Sequence, residues 1–298
     1  MPKTNKVELF LDSGAFSAWT QKVEINIQDY ITFIKTHEGA IDIYANLDVI
    51  GNAKGTWKNQ LIMEGEGLTP LPVFHSGEDV KFLHKYVERY EYICLGGMVG
   101  SSTAQLIFWL DEHFPLTCNK DGLPKVKVHG FGLTSLPLML RYPWYSVDST
   151  SWVVTGRMGS IYIPRHKGGE WIYDENSWKI AVSNRSPNTK EAGKHIETLP
   201  PTEKRICLDY IHNKGYELGV SEFKEVKLDH VLAENERWAE KKEKNQQKRL
   251  LEIIKEPGIS NKYQLRDEMN IIYFLDLEKS MPEWPWAFKK KGVSNGFF

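Results

Sequence analysis

One pattern constrains this chain more than any other: short apolar runs alternate with stretches of helical spacing. Runs at residues 7–13, 41–49, 71–75, 92–95, 125–131, 144–148, 160–164 and, less regularly, 178–183 have the length and residue types of strands. Between the earlier ones lie residues 27–37, 80–90 and 103–113, which suit helices. Such alternation predicts βα units around a parallel sheet, and eight strands predict a (β/α)8, TIM-like barrel. Closing before about residue 185, this barrel is compact against the roughly 250 residues usual for the fold. Some units then have short or missing helices.

After residue 196 the character changes. Residues 203–214 and 228–255 read as charged helices, and the end combines aromatics with Lys289, Lys290 and Lys291. The predicted organisation is a barrel over residues 1–195 followed by a charged helical C-terminal region over 196–298. No internal repeat is seen.

At 298 residues and 41% hydrophobic content, the chain can bury a sizeable core. Its formal net charge is −1, so any contact with nucleic acid must come from local basic patches. Cys94, Cys118 and Cys207 are odd in number and widely spaced, which argues against a disulfide framework or a structural zinc cluster. A cytoplasmic location is expected. The chain opens MPKTNKVELF, without a signal-peptide core, and no run approaches the roughly 18 apolar residues of a membrane span.

Strand side chains alternate between faces, so parity can be read directly. In 41–49, Ile41, Ile43, Ala45, Leu47 and Val49 oppose Asp42, Tyr44, Asn46 and Asp48. The first strand sets Val7, Leu9 and Leu11 against Glu8, Phe10 and Asp12, and residues 125–131 set Val126 and Val128 against Lys125, Lys127 and His129. In a barrel the apolar face packs under helices and the polar face points inward. A purely structural barrel would fill that interior with Val, Ile and Leu. Asp12, Asp48 and Asp148 share the polar parity at the C-terminal ends of their strands, where barrel enzymes build active sites. A single Asp there often caps a helix or orders a turn, but three on one face favour a pocket.

Two carboxylates across a pocket suit glycosidic chemistry: one attacks or stabilises the anomeric carbon, and the other moves a proton at the leaving group. The roles need different protonation states, which burial and mutual repulsion can supply. The stretch YICLGGMVG closes a strand with Gly96 and Gly97, where backbone can approach a ligand or simply turn. It lacks the G-x-G-x-x-G order of a dinucleotide site. Arg157, Arg165, His166 and Lys167, with the KKEKNQQKR stretch, are candidates for phosphate contacts, the other reading being solvated loop charge. Trp144, Tyr145 and Trp152 could stack on a base or fill the core.

The ordered set LDSGAF, NLDVIG, VFHSGE, LGGMVG, VHGFG and YSVDSTSW resembles the tRNA-guanine transglycosylase superfamily, and most closely the DNA-guanine transglycosylases of 7-deazaguanine DNA-modification systems, phage-encoded members included. It covers roughly residues 8–165. The resemblance implies a (β/α)8 barrel that exchanges guanine for a 7-deazaguanine such as preQ0 or preQ1 without cutting the strand. It implies Asp148 as the nucleophile at C1′ and Asp12 as the acid/base. Asp48 would read the N1 and N2 edge of the base, and Gly96 and Gly97 would contact it through backbone. His75 stands where many relatives have Gln, and His129 opens a segment lining the pocket floor; either could also be a pocket-wall side chain.

The three-cysteine, one-histidine zinc site of the tRNA enzymes is missing, as is their Pro-Thr-Arg-like segment after the nucleophile, replaced here by Ser149-Thr150-Ser151-Trp152. Both departures favour DNA over tRNA as the partner. No cofactor or metal is expected, and a protein partner or homodimer is left open. The other readings are base exchange in tRNA, a non-catalytic barrel that holds nucleic acid or base, and a hydrolytic glycosylase.

Overall fold

A computed structural model describes residues 8–133, 135–186, 191–240 and 247–288. The chain divides into two compact units, residues 1–149 with 282–298, and residues 150–281. The boundary falls after Ser149, not after residue 195.

The first unit runs β1 (Phe10–Leu11), α1 (Ala15–Gln21), α2 (Ile27–Thr36), β2 (Ile43–Tyr44), α3 (Ala53–Gly65), β3 (Val73–His75), α4 (Lys81–Arg89), β4 (Tyr92–Gly96), α5 (Thr103–His113), β5 (Lys127–Gly130), α6 (Leu136–Arg141) and β6 (Ser146–Val147). The helices start where side chains can replace missing backbone partners. Asn26 accepts the N–H of Gln28 ahead of α2, Asn52 that of Gly55 ahead of α3, and Ser102 and Gln105 form a reciprocal capping box on α5.

All the strand pairings in this unit are parallel and sequential. β1 pairs with β2, a bridge at Ala45 and Leu71 carries the order to β3, and β3, β4, β5 and β6 follow as neighbours. This is the winding of βα units that step in one direction. Six of the eight expected runs are therefore parallel neighbours; among the described residues no pairing closes β6 onto β1.

Two apolar layers follow from the alternation of side chains. Leu11, Tyr44 and Leu47 pack with Tyr30, Ile31 and Ile34 of α2 and Met63 of α3. Phe10, Ala45, Leu71, Val73, Cys94 and Phe131 form a separate cluster. Leu11 and Phe10 thus take the faces that parity assigned. Tyr44 and Ala45 take the opposite ones, because regular strand ends at the Ala45 bridge and the alternation read across 41–49 is not one continuous strand.

The second unit contains α7 (Ser151–Arg157), β7 (Ser160–Ile163), β8 (Arg165–Lys167), β9 (Glu170–Ile172), β10 (Trp178–Ala181), α8 (Pro201–Asn213), β11 (Val220–Lys227), β12 (Glu236–Trp238), β13 (Lys248–Glu256) and α9 (Tyr263–Ser280). The seventh and eighth expected barrel strands are here, but β7 and β10 pair antiparallel with each other. Their core joins Ile161, Ile163 and Ile180 to Cys207, Tyr210 and Ile211 of α8 and Met269 of α9. That shared core moves the boundary back to residue 149.

The helix expected over 203–214 is α8. The one expected over 228–255 is wrong: β11, β13 and β12 form a three-stranded antiparallel sheet, with Phe223 opposite Glu252 and Trp238 opposite Leu251. The charge density suggested a helix, but Leu251 and Ile254 of β13 gain burial by pairing, and tertiary context overrides a weak local preference. Lys289, Lys290 and Lys291, and most of KKEKNQQKR, lie outside the described residues. No described helix is long and apolar enough to cross a membrane.

Candidate active site

Asp12 follows β1, Asp48 follows β2 and its bridge, and Asp148 follows β6, so all three stand just past the C-terminal ends of parallel strands. They are near enough to act on one another. Asp12 keeps solvent access, yet surrounding protein and the charges of Asp48 and Asp148 raise its pKa above the ordinary carboxylate value, against the opposing pull of the Gly14 and Ser13 N–H groups. The buried Cys94 thiol is pushed up by burial and by the same three carboxylates.

Asp148 goes the other way. Burial alone would raise its pKa, but the His129 imidazole and the Gly132 N–H outweigh burial and lower it. Gly132 donates to Asp148 Oδ1 at 2.8 Å, and His129 Nε2 lies 3.6 Å from the same oxygen. Gly132 can do this because its φ of +68° suits glycine and because a Cβ would sit 2.8 Å from the Val99 side chain. One carboxyl biased towards its acid and a neighbour biased towards its anion can divide proton transfer and nucleophilic attack between them.

Asp48 is anchored on both oxygens. Ser13 Oγ donates to Oδ1 at 2.7 Å, and His75 Nε2 meets Oδ2 at 2.9 Å. The other ring nitrogen of His75 lies 3.2 Å from Glu78, which also accepts the His75 backbone N–H at 3.1 Å. Burial opposes charge on His75, but two carboxylate hydrogen bonds win and push its pKa up to about 9. That shift favours the imidazolium form of His75 at neutral pH.

The sequence leaves His75 between a base contact and a pocket-wall side chain. Both its ring nitrogens meet carboxylates, Asp48 and Glu78, so it orients Asp48. Gly96 serves the same packing: a Cβ there would meet His75 Cδ2 at 2.9 Å. Gly97 has φ +74°, and its Cβ would lie 2.9 Å from the Ser76 backbone nitrogen. The need for glycine at both positions is thereby explained within the protein.

His129 is buried beneath aromatic rings, stacked on Phe10 at 4.5 Å and edge-on to Phe131 at 4.6 Å. Its Nδ1 is 2.7 Å from Ser146 Oγ, and Ser146 Oγ is 2.6 Å from the Tyr92 hydroxyl. Trp144 belongs to the core against Phe114, and Tyr145 packs edge-on to Tyr92 and Trp284.

The four basic candidates are in the second unit. Arg165, His166 and Lys167 form one strand of the β8–β9 hairpin, and Arg157 ends α7. Arg165 stacks on Trp178 at 4.9 Å and donates to the Asn176 carbonyl, His166 packs on Trp171, and Lys167 pairs with Glu175 at 2.5 Å. These local contacts are formed within the second unit, whereas the carboxylates belong to the first.

The sequence reading passed over Ser13, Glu78, Tyr92, Gly132 and Ser146. Weak signals for them existed: Glu78 stands three residues after His75 in VFHSGE, and Ser146 shares the parity of Asp148 two residues on. Among the described residues no three His, Cys, Asp or Glu side chains form a metal-binding group. Comparison with protein-family models, curated proteins and solved structures finds no match to this chain.

Proposed function

We propose that this chain is a DNA-guanine transglycosylase that exchanges guanine in DNA for a 7-deazaguanine base of the preQ0 or preQ1 type. The observation that carries this reading is the opposite bias of two carboxyls in one cluster: Asp12 towards its acid form and Asp148 towards its anion. A retaining exchange at C1′ needs such a pair.

In this reading the target nucleotide is rotated out of the stack. Asp148 attacks C1′, a C1′–O bond forms, and the bond from C1′ to the base nitrogen breaks. Asp12 gives its proton to the departing guanine and is left as a carboxylate. The incoming 7-deazaguanine then loses its proton to Asp12, its nitrogen bonds to C1′, and the Asp148 ester is released. Atoms, charge and configuration balance, and the strand is not cut. Asp48, held by Ser13 and His75, has carboxylate lone pairs left to accept the N1 and N2 hydrogens of the base.

The finer architecture in the same reading is a (β/α)8 barrel, supported by six consecutive parallel strands with the carboxylates past their C-terminal ends. Three buried, unpaired cysteines agree with a reducing cytoplasm. The tests are incubations with DNA, and separately with tRNA, in the presence of labelled preQ0 or guanine, followed by digestion and mass spectrometry of the nucleosides. Label in DNA that disappears with Asp148→Ala is the expected result. Label in tRNA alone would change the polymer, abasic sites without replacement would make the protein a hydrolase, and no chemistry with intact binding would make it a binding module.

A further inference from the structure

His129 is 3% exposed, and its Nε2 has no hydrogen-bond partner among the described residues. A buried imidazole nitrogen left that way is costly unless it faces charge. It faces Asp148 Oδ1 at 3.6 Å, too long for a hydrogen bond and short enough for electrostatic attraction.

The rest of the chain allows two arrangements of the protons about a neutral imidazole. Tyr92 and Ser146 hydroxyls are 2.6 Å apart, and Ser146 Oγ is 2.7 Å from His129 Nδ1. If Tyr92 donates to Ser146, Ser146 donates to Nδ1, and Nε2 carries its hydrogen towards Asp148, then every hydroxyl hydrogen is used and the last one meets a carboxylate. In the reverse order the bare lone pair of Nε2 would confront the carboxylate oxygen. The first arrangement is favoured, and each bond in such a chain polarises the next. Burial keeps the Tyr92 hydroxyl protonated, its pKa pushed up to about 12, so its hydrogen is present to be donated to Ser146.

We propose that Tyr92, Ser146 and His129 form a buried, directed donor chain that ends on Asp148 and holds this carboxylate, and not Asp12, as the anion of the pair. His129 is then a positioning residue acting through Asp148. Its catalytic consequence rests on the transglycosylase reading; its electrostatic effect does not.

The groups that face this pair can be named from each neighbouring element. Gly132, after β5, donates to Asp148 Oδ1. Asp12, after β1, and Asp148 repel each other, and the Cys94 thiol on β4 lies within reach of the same charges and opposite His129 in the strand register. Phe10 and Phe131 close the remaining sides of the imidazole and keep water from competing for Nε2. Besides the backbone N–H groups of Gly132 and of Asp148 itself, His129 is the group that favours the Asp148 anion.

The test is a pH titration of Asp148 in the full chain by carbon NMR of labelled aspartate carboxyls, assigned with Asp148→Asn. Tyr92→Phe, Ser146→Ala and His129→Phe should each move the Asp148 midpoint upward, least for Tyr92→Phe and most for His129→Phe. In base exchange, the acidic limb of the pH–rate profile should move to higher pH. On that limb the rate should fall by about ten- to a hundredfold for His129→Phe, the effect of moving the Asp148 midpoint up by about one to two pH units, with the plateau above the limb kept. An Asp148 midpoint that stays in place in folded Ser146→Ala and His129→Phe overturns the proposal, as does a rate loss uniform across pH. If His129→Phe does not fold, Ser146→Ala, which removes one oxygen, decides. If the unmutated protein exchanges no base, the transglycosylase reading falls, and the NMR titration still decides this one.

Discussion

Both units bury charge, and they handle it differently. In the second unit, Glu252 on β13 is fully buried and neutralised, accepting from Arg237 Nε at 2.8 Å and Ser221 Oγ at 2.9 Å. Arg266 on α9, also buried, donates to the carbonyls of Gly156 and Ile259, both at 2.6 Å, although burial pulls its pKa down to about 10. Asn270 on the same helix accepts the Tyr162 N–H and donates to the Trp152 carbonyl. These groups stitch α7, β7, α9 and the antiparallel sheet together. In the first unit, three aspartates of like sign gather beyond the strand ends, and two of them are driven apart in protonation. Burial of charge is therefore no mark of a site. Like charges crowded together and pushed to opposite biases make a better candidate.

That contrast can be broken in several places, and the largest effect is expected at Asp148, the proposed nucleophile. Asp148→Asn should lower base exchange by about 10³-fold or more while the melting temperature stays near that of the parent protein, measured by nucleoside mass spectrometry beside a thermal melt. An active Asp148→Asn protein would return the carboxylate cluster to a structural role. Asp12→Asn should cost about 10²- to 10⁴-fold, the usual worth of a general acid. Because the Asp12 pKa is raised and that of Asp148 lowered, the parent profile should be a bell whose limbs straddle the ordinary carboxylate range, and this variant should lose the basic limb.

Stability separates the two regions next. His75→Ala leaves Asp48 and Glu78, 9% and 5% exposed, without their cation, and Arg237→Met does the same to Glu252. Each should destabilise its unit by about 3–5 kcal/mol in denaturant unfolding. Their pH dependence should differ. The folded-state pKa of His75 is raised from 6.5 to about 9, so its stabilising contribution is complete below pH 6.5 and is lost as pH rises through about 9. The gap between parent and His75→Ala should close over that window. The gap for Arg237→Met should not change there, since arginine stays charged. Equal pH profiles for the two variants would mean that His75 is not an imidazolium in the folded protein.

The smallest effect is steric. Gly96→Ala places a methyl 2.9 Å from a His75 ring pinned by two carboxylates, and should cost about 1–3 kcal/mol, read as a drop in melting temperature. A neutral result would show that the His75 clamp yields easily.

Asp12 and Asp148 were legible in the sequence because strand parity is local: a residue at the end of a run on the polar face needs no tertiary information to be placed there; Asp48 also stands past its strand, although the alternation read across 41–49 breaks at Ala45. The same logic located His129 and the first six strands. It failed where pairing decides. Residues 160–163 and 178–181 have strand composition in any partnership, and only their mutual antiparallel pairing took them out of the parallel series. Residues 248–256 carry charge at a density that also suits a helix, and burial of Leu251 and Ile254 against β11 and β12 settled them as strand. His75 was open between a ligand contact and a pocket-wall side chain because sequence shows its type and not its partners. Glu78 and Asp48 reach it from one turn and one neighbouring strand, a meeting fixed by chain geometry. The sequence by itself determined that carboxylates would end these strands. The tertiary structure alone decided which way Asp12 and Asp148 are biased, because that depends on donors, burial and like charges brought together by segments far apart in the chain.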